Sequence, residues 1–146
     1  MKKEDKKILL RDLCARLPYG VKCQHFDDKT PYALLGIDED VLHIDCPVYD
    51  EGDGYVEIEY CKPYLRSLSS MTEEEKRELS KKYVWDISCG QIKIRYHSEG
   101  YWDNNTKCPT SEYLKLFDWL NMHHFDYHGL IEKGLALEAT RDMYNL

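Results

Sequence analysis

Several patterns that identify large protein classes are absent from this sequence. No apolar run approaches the roughly 18 residues that suggest a membrane-spanning helix. The charged start of the chain contains no uninterrupted apolar core, so we expect no signal peptide and predict a cytoplasmic protein. Neither a glycine-rich phosphate-binding loop nor the G-x-S-x-G pattern of a serine hydrolase occurs. The sequence therefore predicts no cofactor and no catalytic residue.

The cysteines also lack the spacing of a known site. No C-x-x-C occurs, so neither a zinc knuckle nor a thioredoxin-type redox pair is indicated. Wide spacing and the absence of an export signal favour free thiols over disulfides. The six residues are Cys14, Cys23, Cys46, Cys61, Cys89 and Cys108.

Composition places the chain among ordinary soluble globular proteins. Its 146 residues are 42% hydrophobic and 32% charged. A chain of this length buries enough surface to fold without a disulfide or a metal. The sequence shows no internal repeat and no linker that divides two domains. We therefore predict a single domain over residues 1–146.

Charge is distributed unevenly along the chain, whose net charge is −7. Residues 1–20 contain six bases and three acids, whereas residues 27–60 contain eleven acids and one base, Lys29. An acidic surface repels the phosphate backbone of nucleic acids and attracts basic proteins. A solvated acidic face that only maintains solubility is the alternative. The pattern favours a protein partner of basic character over a nucleic acid.

The first part of the sequence predicts a helix followed by strands. An apolar stripe at helical spacing contains Leu9, Leu10, Leu13, Cys14 and Leu17, with Arg11, Asp12 and Arg16 on the opposite face. Alternating or apolar segments predict four short strands at 21–26, 31–37, 41–44 and 55–61. These strands predict a small, curved antiparallel sheet, for which an SH3-like barrel is one candidate form.

The remaining sequence predicts further helices and a hairpin. Thr72 and Glu75 form a capping box before a mostly solvated middle helix, and residues 84–97 alternate as a β-hairpin. A third helix begins at Thr110 or Ser111, and Asp126 is a suitable N-cap for a fourth. The predicted class is α+β, with a helix and β-rich part over 1–70, a helix and hairpin over 71–109, and a C-terminal helical pair over 110–146.

Three histidines, His123, His124 and His128, surround Asp126 near the end of the chain. His124 and His128 are four residues apart, a spacing that zinc ligands use on a helix. No H-E-x-x-H pattern accompanies them, and Gly129 indicates a helix break, so a helix–turn–helix corner is favoured. A small metal-dependent hydrolase that uses His124, Asp126 and His128 is the alternative.

The predicted function is non-enzymatic binding of a protein partner. Aromatic rings give large contact areas at little entropic cost, and the chain contains 12 tyrosines. The predicted partner-binding residues are Asp38, Glu39, Asp40, Asp50, Glu51, Asp53, Tyr64 and Arg66. An SH3-like nucleic-acid-binding module that uses the N-terminal lysines and Arg66 is a second alternative.

Three segments carry a resemblance to a known family: KKILLRDLCARLPYGVK, KPYLRSLSSMTEEEK and WLNMHHFDYHGLIEKGLALEA. In these segments the chain resembles a family of uncharacterised small proteins found in gut Bacteroidales genomes and in their prophages and other mobile elements. The resemblance does not extend to the segments from about residue 24 to 60 and from 84 to 109. It implies a bacterial or phage cytoplasm, transfers no catalytic residue, and associates the chain with host-interaction or anti-defence roles.

Overall fold

The computed structural model describes residues 1–46, 54–82, 85–88, 91–94 and 110–145. These residues form two compact units, the first from residues 1–65 and 128–146 and the second from residues 66–127. The α+β class is confirmed. None of the helices in the described ranges is long and apolar enough to cross a membrane. That the two units constitute one domain stays a prediction.

The helices and strands follow one another in a simple order. In the first unit, helix α1 spans Lys3–Arg16, and the strands are β1 (Lys22–His25), β2 (Asp28–Asp38), β3 (Val41–Ile44), β4 (Gly54–Glu57) and β5 (Cys61–Leu65). The second unit contains α2 (Glu73–Lys82), β6 (Trp85–Ser88), β7 (Gln91–Ile94) and α3 (Thr110–Met122). Strand β8 (Leu137–Glu138) returns to the first unit.

The sheet of the first unit is open, so the SH3-like barrel is wrong. Its strand order is β4-β3-β2-β1-β5-β8, in which only the β5–β8 pair is parallel. The segment predicted as one strand over 55–61 bends through a 3₁₀ turn at Ile58–Tyr60. Because of this bend, β4 pairs with β3 while β5 pairs with β1. The two-residue β8 at the far edge pairs with β5 and does not close the sheet onto β4.

Helix α1 buries a different face from the one predicted. Its buried residues are Leu9, Asp12, Leu13 and Arg16, while Cys14 is exposed. These positions follow the i, i+3, i+4, i+7 spacing of one helix face, which includes two charged side chains. The apolar core against this face consists mainly of Val21, Cys23, Leu34, Leu42, Ile44, Val56, Ile58, Cys61, Leu65 and Leu130.

The second unit has its own small core. Its buried residues are Leu68, Met71, Leu79, Leu116, Trp119, Leu120 and Phe125. The predicted capping box is confirmed, because the Thr72 amide donates to Glu75 Oε2 at 2.9 Å and the Glu75 amide donates to Thr72 Oγ1 at 3.1 Å. The predicted hairpin is present as the antiparallel pair β6–β7, whose turn lies outside the described residues.

The predicted C-terminal helical pair is wrong, because residues 123–145 form turns and β8 in place of a second helix. Helix α3 ends in a Schellman motif, in which the Phe125 amide donates to the Leu120 carbonyl at 2.9 Å and His124 adopts a left-handed φ of 59°. The Asp126 amide then donates to the Arg66 carbonyl at 2.8 Å. Asp126, the predicted N-cap, therefore follows directly after the isolated β-bridge between Arg66 and Phe125 and does not begin a helix.

Candidate functional site

The solvent-facing side of β2, β3 and β4 carries a row of three residues set by strand register. Gly36 pairs with His43, and His43 pairs with Tyr55. Directly opposite residues project from the same face of a sheet, so the rings of His43 and Tyr55 stack at a centroid distance of 4.7 Å and an interplanar angle of 8°. We name Gly36, His43 and Tyr55 the aromatic row. Tyr55 is 70% exposed, so most of its surface is accessible to a partner.

A second row lies beside the first on the same face. Asp38 pairs with Val41, and Val41 pairs with Glu57. Since side chains two residues apart on a strand share a face, Asp38 follows Gly36 and Glu57 follows Tyr55. We name Asp38, Val41 and Glu57 the carboxylate row. Both carboxylates are exposed, so the two rows together present aromatic and anionic groups to solvent.

The alternation of residues along the strands explains why this face is exposed to solvent. In β4, Gly54 and Val56 are buried while Tyr55 and Glu57 are exposed. In β3, Leu42 and Ile44 are buried in the core while Val41 and His43 are half-buried on the other side. The alternation predicted for a one-sided antiparallel sheet is therefore present here. A bulge between Leu34 and Gly36 shifts the β2 register and brings Gly36 opposite His43.

The predicted acidic residues of the β2–β3 turn differ in how much charge they present. Asp38 and Glu39 are exposed, and Glu39 has a positive φ of 54°. Asp40 forms a salt bridge with Lys6 of α1, whose Nζ also lies 3.8 Å from a carboxylate oxygen of Glu59. The hydrogen bond from Lys6 lowers the pKa of Asp40. Asp50, Glu51 and Asp53 lie outside the described residues.

The other two predicted partner-binding residues have their polar groups engaged. Tyr64 is buried, and its hydroxyl donates to the Lys29 carbonyl at 2.7 Å. In the second unit, the guanidinium of Arg66 donates two hydrogen bonds to Glu75, at 2.8 and 2.9 Å, and lies 4.2 Å from the ring centroid of Phe125. Both side chains therefore have clear structural roles within their own units.

The two histidines predicted at zinc-ligand spacing, His124 and His128, belong to different units. His124 is buried in the second unit at the end of α3, whereas His128 belongs to the first unit and places Nδ1 3.0 Å from Asp12 Oδ1. Across the described ranges, no group of three or more histidine, cysteine, aspartate or glutamate side chains is arranged to hold a metal ion. The geometry thus gives no support to the metal-dependent hydrolase.

A buried ionic cluster was not predicted. Arg16 donates to Asp12 from Nε at 2.7 Å and from Nη2 at 2.9 Å, and both side chains are 0% exposed. Burial raises the pKa of Asp12, but hydrogen bonds from His128 and Arg16 outweigh that effect and lower it. The only sequence signal is the i,i+4 spacing of the pair, which is common on solvated helix faces.

Two thiols lie close to this cluster, but their chemistry opposes catalysis. A hydrogen bond with Cys61 and complete burial raise the pKa of Cys23 well above its usual range. A nucleophilic cysteine requires the opposite shift, because the thiolate is the reactive form. Moreover, the charge of Asp12 is already compensated by Arg16. The cluster is therefore better suited to stabilising the first unit than to acid–base or nucleophilic chemistry.

A second exposed aromatic pair lies at the β1–β2 turn. Phe26 is 56% exposed, has a φ of 50°, and stacks on Tyr60 at a centroid distance of 4.7 Å. A positive φ is rare for a bulky residue and costs free energy. The positive φ of Phe26 was not expected from the sequence.

Comparison with known proteins adds no relationship: no family model, no curated protein and no solved structure matches this chain. A functional proposal consequently depends on the geometry and charge of the chain itself.

Proposed function

We propose that this chain is a non-enzymatic binding module that recognises a basic protein through the outer face of β2, β3 and β4. The observation that carries the proposal is the combination of a 70% exposed Tyr55, stacked on His43, with the exposed carboxylates of Asp38 and Glu57 on the same face. Tyrosine is enriched in the centres of protein interfaces, where it supplies area at low entropic cost.

Charge supports a basic partner. Residues 27–60, which include β2, β3 and β4, contain eleven acids and one base. Electrostatic complementarity of this kind increases association rates and suppresses wrong partners. A nucleic acid is disfavoured as the ligand of this face because its phosphates would meet carboxylates.

The biological setting rests on the sequence resemblance alone. On this resemblance we propose that the module is an accessory protein of a phage or mobile element, with a host-interaction or anti-defence role. This setting favours a host protein as the partner, and the negative charge of the sheet favours a partner with a basic surface.

Affinity capture with paired variants tests the proposal. The bait proteins are the wild type, a sheet variant with Tyr55→Ser and Glu57→Lys, and a control with Leu114→Ser and Glu74→Lys. Leu114 and Glu74 are exposed positions of the second unit, so the control removes an exposed apolar side chain and reverses one carboxylate charge away from the sheet. All three are incubated with lysate of a Bacteroidales host, and bound proteins are identified by mass spectrometry.

We expect a basic protein to bind the wild type and the control, to bind the sheet variant at least about tenfold less, and to elute as salt is raised. Equal recovery on all three baits, or recovery of nothing above background, would contradict the proposal.

A further inference from the structure

The solvent-facing side of helix α1 carries three cations in a row. Lys3, Lys7 and Arg11 are exposed and follow one another at intervals of four residues. On an α-helix this spacing places side chains on one face, with about 6 Å of rise between neighbours. We name Lys3, Lys7 and Arg11 the basic stripe. It lies on the side opposite the buried residues of the helix, which are Leu9, Asp12, Leu13 and Arg16.

The acidic side chains of the protein leave the basic stripe charged. In the ranges that the structure describes, none of its three cations takes part in a salt bridge. Lys6 of the same helix differs, because its Nζ pairs with the carboxylate of Asp40. The helix also contains Glu4 and Asp5 in its first turn, but neither forms a salt bridge with the stripe. The stripe therefore presents three positive charges to solvent.

This arrangement is unfavourable for the helix itself. Like charges at positions i and i+4 repel one another, and the stripe contains two such pairs, Lys3 with Lys7 and Lys7 with Arg11. Lys3 is also the first residue of α1, where the helix dipole disfavours a cation. Local rules of this kind are broken mainly at functional sites. A polyanion that lies along the stripe would relieve the repulsion.

Among polyanions, a DNA duplex matches the stripe best. Duplex DNA presents one negative charge per about 1.7 Å of its length, so a straight row of cations meets phosphates in any register. Its major groove is also wide enough to admit an α-helix. A lipid surface is a poorer match, because a helix that binds a membrane interface inserts apolar side chains and the stripe has none.

We propose that the basic stripe binds the phosphate backbone of double-stranded DNA without regard to sequence. This inference goes beyond the proposed function, because the surface and the ligand both differ from those of the sheet. It also changes the residues of the predicted nucleic-acid module, since Arg66 donates to Glu75 and is replaced by Lys3, Lys7 and Arg11. The eleven acids of residues 27–60 repel phosphate and confine the contact to α1.

Fluorescence anisotropy of a labelled DNA duplex of mixed sequence, measured over a series of sodium chloride concentrations, tests the proposal. Each phosphate that a cation neutralises contributes about −0.9 to the slope of the logarithm of the association constant against the logarithm of salt concentration. Three contacts therefore predict a slope of about −2.7. We expect a dissociation constant on the order of 100 micromolar at low salt.

Variants assign the slope to the stripe. Lys7→Gln should change the slope to about −1.8, whereas Lys7→Arg should keep it near −2.7. Lys133→Gln is the control, because Lys133 is an exposed lysine of the first unit outside α1, and it should also keep the slope near −2.7. Replacing all three stripe residues with glutamine should abolish binding. This triple variant should be at least as stable to heat as the wild type, since glutamine favours helix and the repulsion is removed.

A slope shallower than about −1, equal slopes for Lys7→Gln and Lys133→Gln, or binding by the triple variant would overturn the proposal. Lower thermal stability of the triple variant would count against it as well, because misfolding would then explain the loss. Binding to phosphatidylglycerol vesicles or to polyglutamate as tightly as to DNA would assign the stripe to a lipid surface or an acidic protein instead.

The two proposals fail separately. The sheet variant with Tyr55→Ser and Glu57→Lys keeps the basic stripe, so it should bind DNA at least as tightly as the wild type. Weaker binding of DNA by the sheet variant would contradict a site confined to α1. Absence of DNA binding by the wild type would leave the capture experiment and its basic partner unaffected.

Discussion

Replacing Asp12 with asparagine tests whether a buried ion pair stabilises the first unit. Asparagine has nearly the shape of aspartate but no charge, so the Arg16 guanidinium would remain buried without its counter-charge. Both side chains are fully buried, and three nitrogen atoms lie within 3.0 Å of the Asp12 carboxylate oxygens, at 2.7, 2.9 and 3.0 Å.

The expected loss is large relative to the stability of a domain. Removing one partner of a buried ion pair costs about 3–5 kcal/mol, because the remaining charge loses the group that compensated its desolvation. Domains are typically stable by about 5–15 kcal/mol. We therefore expect Asp12→Asn to lose about 3–5 kcal/mol in free energy of unfolding at neutral pH.

The loss should depend on pH in a defined direction. The pKa of Asp12 is lowered in the folded state, because hydrogen bonds from His128 and Arg16 outweigh the effect of burial. Stability contributed by such a carboxyl is present above its unfolded-state pKa of about 3.9 and is lost as the pH falls through the lower folded-state pKa. The difference between wild type and Asp12→Asn should shrink below about pH 4.

Urea unfolding followed by far-ultraviolet circular dichroism, repeated from neutral to acidic pH, measures both quantities. Asp40→Asn is the control, since Asp40 pairs with Lys6 at the surface and should show a much smaller change. A double variant, Asp12→Leu with Arg16→Met, should be more stable than Asp12→Asn because no charge remains buried. A loss below about 1 kcal/mol at neutral pH, or a loss unaffected by acid, would refute a stabilising role for the pair.

Two further predictions use the aromatic residues. Phe26→Asn should change the free energy of unfolding by less than about 1 kcal/mol, because relief of the positive φ offsets loss of the Tyr60 stack. Phe125→Ala removes a fully buried ring and should lower the free energy of unfolding by about 3–5 kcal/mol. Equal losses for the two variants in denaturant unfolding would contradict this contrast. All three tryptophans, at positions 85, 102 and 119, lie in residues 66–127, so their fluorescence reports on the second unit. If the chain is one cooperative domain as predicted, Asp12→Asn should lower the fluorescence midpoint in urea as much as the circular dichroism midpoint, and an unmoved fluorescence midpoint would show independent unfolding.

Local patterns predicted the individual elements better than their arrangement. The strand at 41–44 and the capping box at Thr72 and Glu75 depend on neighbouring residues, and both are present as predicted. The bend at Ile58–Tyr60 was missed because the alternation of 55–61 continues through it. Pairing with β3 on one side and β1 on the other is a tertiary preference that overrides this periodicity.

Buried charged residues and a residue with a positive φ account for the remaining differences between the predicted and the observed structure. Asp12 and Arg16 were assigned to solvent because a charged side chain is rarely buried unless it has a partner, and the His128 contact comes from a residue 116 positions away. His124 occupies the left-handed position of a Schellman motif, where glycine is usual. Because no glycine stands there, the sequence pattern does not mark the end of α3. Neither feature can be read from periodicity.

The proposed recognition surface was predicted only in part. Asp38 and Glu39 were among the predicted partner-binding residues, whereas Glu57 was not. The stack of His43 on Tyr55 and the position of Gly36 depend on strand register, which a bulge in β2 shifts by one residue. A sequence pattern gives the face of each strand but not which residues lie opposite one another across it.

The second unit begins and ends at adjacent points of the chain. The Arg66 amide donates to the His124 carbonyl, and the Asp126 amide donates to the Arg66 carbonyl, both at 2.8 Å. The chain leaves the first unit after Leu65 and re-enters it at His128. A segment closed in this way has the connectivity of a cassette, which can be lengthened, exchanged or excised without rerouting the strands on either side of it. A change of length in the region that includes α2, the β6–β7 hairpin and α3 therefore leaves the path of the chain through the strands of the first unit unaltered.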